Sequence, residues 1–392
     1  MKKFLLAATM LVASALAVAD DVKVGVILGF TGPIESLTPG MASGAELALS
    51  EASKSGAFLG GQTLVSVRGD STCIDAAAAS SVAERLITAD GVSAIMGADC
   101  SGVTTAIANN VAIPNGVVMV SPSATSPALS TIDDNGFFFR TAPSDARQGQ
   151  VLAKVLQSRG IDEVAVTYTN NDYGKGLADS FAAAFRAQGG RISISAAHED
   201  GKADYSAEVG ALSASGSKHL AVFGYVDQGG RGIIQASVDA DAFDSYVMAD
   251  GMVGDSLIAA IGAALDGSIA TLPGGAEGAD TFMEYAKANG IVGDGPFVPE
   301  SYDAAALIVL AMQAAGSADR AALQSKMMMV ANAPGKKVGP GELDKALKII
   351  AAGGDVDYQG ATNVEFNDVG EVFGAYKELE IGNGKWNTIK IH

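Results

Sequence analysis

The stretch Val92-Ser-Ala-Ile-Met-Gly97-Ala-Asp-Cys100-Ser101-Gly102-Val-Thr104-Thr105-Ala106 decides how the chain is built. Its apolar run breaks at Gly97 and restarts as a polar segment of small residues. That pattern reads as a buried strand ending at Met96, a turn from Gly97 to Gly102 and a helix beginning near Val103. Such a turn leaves backbone N–H groups at the helix start without intrahelical partners, where an anionic group fits. No lysine or arginine stands in it, which points to a small carboxylate rather than a polyphosphate.

The same alternation extends in both directions. Before and after the opening stretch, strands are expected over Val22–Gly29, Thr63–Asp70 and Val117–Val120, with helices over Met41–Lys54, Ile74–Thr88 and Val103–Val111. In the second half, strands over Glu163–Tyr168, Arg191–Ala196, Leu220–Gly224 and Ser245–Met248 alternate with helices over Ala146–Ser158, Gly176–Gln188, Tyr205–Ala214 and Gly230–Ala240. Repeated β-α-β units give an α/β fold with parallel sheets, and 392 residues suit two domains, hence two doubly wound, Rossmann-like lobes. From Pro296 on, three helices (Ser301–Ala315, Asp319–Val330, Gly341–Ala352) and a closing strand pair around Phe373–Ile391 must pack back on those lobes.

Composition narrows the function classes. Lys and Arg number 26 against 44 Asp and Glu, which argues against nucleic acid as a partner, because phosphate neutralisation needs clustered cations. Lys2-Lys3, the apolar run Phe4–Leu16 and Ala17-Val18-Ala19 have the form of a secretory signal peptide over residues 1–19, cleaved after Ala19. A membrane anchor is the competing reading, and the run falls short of the ~20 residues a span requires. For an exported chain the two cysteines, Cys73 and Cys100, are expected to be oxidised. Their bridge would close a loop of about 28 residues, worth roughly 3.5 kcal/mol. Two reduced, buried thiols are the alternative.

The chemistry of catalysis is thin. His198, His219 and His392 have no ligand-type spacing, so neither a metal nor a cofactor is expected, and no nucleotide-binding or nucleophile-elbow motif occurs. Ser215-Gly-Ser-Lys218 matches S-x-x-K without its companion motifs. Strand ends such as Phe30–Pro33, Ser121–Thr125, Asn170–Gly174 and Gly224–Asp227 are rich in Ser, Thr, Tyr and Asp instead, and ligands of doubly wound sheets sit there. Ser101 and Thr125 can donate hydroxyls to a carboxylate, or simply cap helices. Asp250 can hold an ammonium, or be a solvated turn residue beside Gly251. Tyr173, Tyr225 and Phe297 can cover an apolar ligand, or be ordinary core aromatics.

Thr31-Gly-Pro33, Gly44-Ala-Glu46, Cys73 with Cys100-Ser101, Ser121-Pro-Ser-Ala-Thr125, Arg140-Thr-Ala142 with Asp145, Asp172-Tyr-Gly174 with Gly176, and Gly295-Pro-Phe297 follow one another in order. With these motifs the chain resembles, over nearly its whole length, the periplasmic leucine/isoleucine/valine-binding proteins of ABC transporters, with the type I periplasmic binding fold. The resemblance implies a monomer whose two lobes join at a hinge, residues 20–144 plus 275–370 forming lobe 1 and 145–274 plus 371–392 lobe 2. It implies that Ser101, Ser123, Ala124 and Thr125 hold the α-carboxylate and α-ammonium of an amino acid from the first lobe. Tyr173, Tyr225 and Asp250 would close over it from the second, Phe297 would line the side-chain pocket, and Cys73–Cys100 would be the family's disulfide. Where the family usually has glutamate this chain has Asp250, and near Leu37 it lacks the usual tyrosine. A membrane permease would accept the ligand. A different small carboxylate or amide, such as an aromatic acid or urea-like solute, is the second expectation; an exported hydrolase using Ser101 or Ser215 is the third.

Overall fold

β1 (Val22–Leu28), β2 (Leu64–Asp70), β3 (Ala94–Gly97), β4 (Met119–Ser121) and β5 (Phe138–Arg140) form a parallel sheet in the order β2-β1-β3-β4-β5 in the computed structural model, which describes residues 21–392. The signal segment lies outside the described residues. All four residues of β3 are buried, and Lys23 is the one exposed residue of β1. Strands covered on both faces read as unbroken apolar runs, which is why the opening stretch could be recognised.

From Arg140 the chain crosses to a second sheet. β6 (Glu163–Thr169), β7 (Arg191–His198), β8 (His219–Phe223), β9 (Ser245–Met248) and β10 (Ile269–Pro273) are parallel neighbours in the order β10-β9-β8-β6-β7. It then returns to the first unit. There the helix Val298–Ala315, buried from Ser301 through Gln313, packs along the helix Thr38–Lys54, and β11 (Lys336–Val338) pairs with β12 (Val356–Tyr358). A third crossing leads to β13 (Tyr376–Gly382) and β14 (Lys385–Ile391), which add antiparallel to β10. Among the described residues no single helix is long and apolar enough to cross a membrane.

The structure shifts several expected boundaries. After the opening turn the helix starts at Ser101, because Cys100 is already its cap residue, and it runs on as a π turn over Ala108–Ala112. The helix expected from Gly176 starts at Asp172, since the Asn171 side chain accepts the Gly174 N–H and caps it. β5, β10 and the helices Asp255–Ile261 and Ala279–Ala288 were not legible in the sequence pattern. β10 is five residues long and ends in proline, a signal indistinguishable from a loop.

In each sheet the strand order reverses direction once, between β1 and β3 and between β6 and β8. Crevices at such switch points, outside the carboxyl ends of the strands, are where α/β sheets hold ligands. Here the two crevices face each other.

Candidate functional site

Gly97 turns the chain out of β3 with φ +131°, and a Cβ there would lie 2.2 Å from the Ile27 carbonyl oxygen, so only glycine fits. Two residues on, the buried Asp99 carboxylate accepts from Gly29 N–H at 2.5 Å, Cys100 N–H at 2.9 Å and the Ser71 hydroxyl at 3.1 Å. It thereby ties together the turns after β1, β2 and β3. Burial pushes its pKa up and these donors pull it back. Cys73 and Cys100 are joined by a disulfide, which pins the same turns covalently. The alternative of two free thiols is set aside.

The loop after β4 completes this wall. Ser121 donates to the Ala98 carbonyl at 2.5 Å, Ser123 donates to the Asp99 carbonyl at 3.1 Å, and the Ser101 hydroxyl oxygen accepts the Ser126 N–H at 3.1 Å. Arg140, 1 % exposed, donates to the carbonyls of Ala124 at 3.0 Å and Ser126 at 2.9 Å and pairs with Glu371 in the third crossing. Ser101 is therefore not the cap of its helix, that place being taken by Cys100, and its hydroxyl oxygen is used by the loop after β4. Its hydroxyl hydrogen is free to point to the cleft.

The facing wall comes from the second sheet. Tyr173 and Tyr225 stack with ring centroids 5.3 Å apart and planes 19° apart. The Tyr173 hydroxyl donates to Asp250 Oδ1 at 3.0 Å and accepts the Gly251 N–H at 3.2 Å, while Asn171 donates to the Tyr225 hydroxyl at 3.2 Å. Asp250 is 2 % exposed, so it is not a solvated turn residue. Burial pushes its carboxyl up to about 6 against the Tyr173 hydrogen bond, and burial with the nearby carboxylates pushes both phenols up as well.

Between the walls lies a cavity of about 30 Å³ lined by Ile34, Leu37, Met41, Asp99, Cys100, Ser101, Ser123, Tyr173, Tyr225, Asp250, Gly251 and Phe297. Its lining combines aliphatic and aromatic side chains with hydroxyls and two carboxylates, and among the described residues no Lys or Arg is part of it. Phe297 adopts a left-handed backbone, φ +59°, at the start of the long core helix. Six of the eight residues singled out in the sequence meet here. Ala124 and Thr125 are not part of the lining: both are fully buried, and Thr125 lies beside Asp145, whose N–H donates to the Thr125 carbonyl at 2.8 Å.

Sequence reasoning missed Asp99 and Asp145. Asp145 is fully buried, neither of its oxygens has a well-formed hydrogen bond, and burial plus the neighbouring Asp250 carboxylate drives its pKa well up. A charged residue directly after a buried strand and its glycine was the available signal for Asp99. For Asp145 there was only a place in a motif. The remaining chemistry is used locally: His198 Nδ1 meets the Thr167 hydroxyl at 2.9 Å, His219 meets Ser245 at 2.8 Å, and Ser215 meets the Ser193 hydroxyl at 3.0 Å.

A pattern described as periplasmic binding protein matches residues 21–337. The chain belongs to that family. Across 308 residues it is 30% identical to a leucine-, isoleucine-, valine-, threonine- and alanine-binding protein of Pseudomonas aeruginosa, covering 77% of this chain and 80% of that protein. The crystal structure of a leucine-binding protein from Thermotoga maritima superposes with a TM-score of 0.78 at 23% identity, over 94% of this chain and 98% of that one. A solute-binding protein of an ABC transporter from R. palustris, in complex with 4-hydroxybenzoate, does so with a TM-score of 0.76 at 18% identity, over 95% and 97% of the two chains. The type I periplasmic binding fold expected from the sequence is thus present, with both switch-point crevices turned into one cleft.

Proposed function

We propose that the protein is the solute-binding subunit of an ABC importer and takes up an aliphatic, branched-chain amino acid as its zwitterion. The observation that carries this is the Asp250 carboxylate, buried and lining a cavity to which, among the described residues, no Lys or Arg contributes. A buried charge without a partner is costly, and an ammonium placed there removes the cost. Ser101, whose hydroxyl hydrogen is not engaged elsewhere, and the start of its helix supply donors for the α-carboxylate, while Ser123 fixes the adjoining turn through the Asp99 carbonyl and Ala124 and Thr125 shape that loop from behind. Ile34, Leu37, Met41 and Phe297 offer an aliphatic side chain an apolar end, and the similarity to the Pseudomonas aeruginosa protein supports the same ligand class.

In this reading lobe 1 comprises residues 20–144 and 275–370 and lobe 2 residues 145–274 and 371–392. The chain is exported as a monomer after cleavage behind Ala19, and it acts by closure rather than by catalysis. A ligand that touches both walls favours the closed form because only that form offers both sets of contacts. The membrane permease would then receive the closed complex.

A second reading, an aromatic acid, draws on the stacked Tyr173 and Tyr225 and on the 4-hydroxybenzoate complex of the R. palustris relative. Its carboxylate would gain nothing from Asp99 and Asp250. Thermal unfolding of the mature protein with leucine, isoleucine, valine, alanine and 4-hydroxybenzoate separates the two. Saturation at a hundredfold excess over Kd should add about 2.7 kcal/mol for the branched-chain amino acids. A shift with 4-hydroxybenzoate and none with any amino acid would overturn the first reading.

A further inference from the structure

Asp227 stands in the turn after β8, two residues beyond Tyr225, and reaches across the cleft. Its N–H donates to the Pro33 carbonyl at 2.9 Å, and its Oδ2 accepts the Ser36 N–H at 2.8 Å. Its Oδ1 accepts the Ser256 hydroxyl at 2.8 Å, and that hydroxyl oxygen lies 3.1 Å from Ser36 Oγ. Arg231 donates to the Asp227 carbonyl at 2.6 Å and steadies the turn from its own side. The 33–36 segment so gripped leads directly into Leu37, and Ile34 and Leu37 both line the cavity. At the other end of the cleft the Ser126 hydroxyl donates to the Asp172 carbonyl at 3.0 Å. None of these bonds involves a ligand atom.

We propose that Asp227 is a latch: it holds the two lobes closed through the protein's own hydrogen bonds and so positions the wall that carries Ile34 and Leu37. Each hydrogen bond of this kind shifts an equilibrium roughly two- to tenfold. Several acting together give the ligand-free protein a populated closed form. The apparent affinity then follows the closed fraction, so weakening the latch raises Kd and speeds release. Asp227 need not touch the ligand to do this.

The test combines small-angle X-ray scattering of the ligand-free mature protein with leucine titration of the same samples. The titration half rests on the amino-acid reading above; the scattering half does not. Wild type should scatter with a substantial closed component, D227A should be more extended, and leucine should compact it again. Kd for leucine should rise tenfold or more in D227A, with most of the change in the dissociation rate. S256A, which removes the Ser256 hydroxyl's bonds to Asp227 and to Ser36, should move both quantities in the same direction by roughly two- to tenfold, and it decides the matter on the same criteria if D227A does not fold. Identical scattering of wild type and variant, or a wild type already fully open without leucine, would overturn the latch. Expansion of D227A in a protein that ignores leucine would keep the latch and remove the ligand reading.

Discussion

The first-sheet wall of the cleft presents hydroxyl and backbone groups that are already bonded to one another, from Asp99 with its three donors to Ser101 holding Ser126 N–H. The second-sheet wall presents two stacked rings and the Asp250 carboxylate, whose ionisation burial opposes. One side is a fixed mould; the other holds an electrostatic cost that a cation relieves. Binding affinity should therefore be sensitive to charge on the second wall and to covalent order on the first.

Asp250→Asn attacks the second wall and should have the largest effect. Leucine affinity should fall by about 3 to 5 kcal/mol, the scale of removing one member of a buried charge pair. Titration calorimetry reads this directly, and unchanged affinity would break the contrast between the walls. Replacing Cys73 and Cys100 together by serine attacks the first wall. Unfolding free energy should drop by about 3.5 kcal/mol on the loop-closure estimate, as read from urea unfolding with and without reductant.

Acid sharpens the comparison. The Asp250 carboxyl is raised from 3.8 to about 6 in the folded chain, so the folded state binds its proton more tightly than the unfolded state does. The stability this supplies is fully present below pH 3.8 and is lost as pH rises through about 6. Ligand-free Asp250→Asn should accordingly gain on wild type in unfolding free energy between pH 4 and 7. Parallel pH profiles would remove Asp250 as the source. The smallest effect belongs to Ser123→Ala, which deletes one hydroxyl from the fixed wall and should weaken leucine binding by about 0.5–1.5 kcal/mol.

Much of this was legible in the residues themselves. Parallel strands buried on both faces announce themselves as apolar runs, and the turns that follow them contain Ser101, Ser123, Tyr173, Tyr225 and Asp250, all of which reach the cavity. What escaped depends on pairings distant in sequence. Asp227 reads as an ordinary turn aspartate until Ser36, 191 residues away, is seen to donate to it. The burial of Thr125 beside Asp145 goes with the Arg140 bonds to the Ala124 and Ser126 carbonyls on either side of it, which no local pattern encodes. β10 was missed because five residues ending in proline leave little periodicity to read, and one of its two neighbours, β13, lies about a hundred residues downstream.

The bridge between Cys73 and Cys100 has a consequence in time as well as in strength. It joins the turn after β2 to the residue that opens the Ser101 helix, and Cys100 itself lines the cavity. Thiols stay reduced in the cytosol and pair only in an oxidising compartment. A newly made chain still on the reducing side would lack the cross-link that fixes the carboxylate-facing turns. Those turns would then be held by the Asp99 hydrogen bonds alone, so the order of the first wall of the cleft follows the redox state of its surroundings.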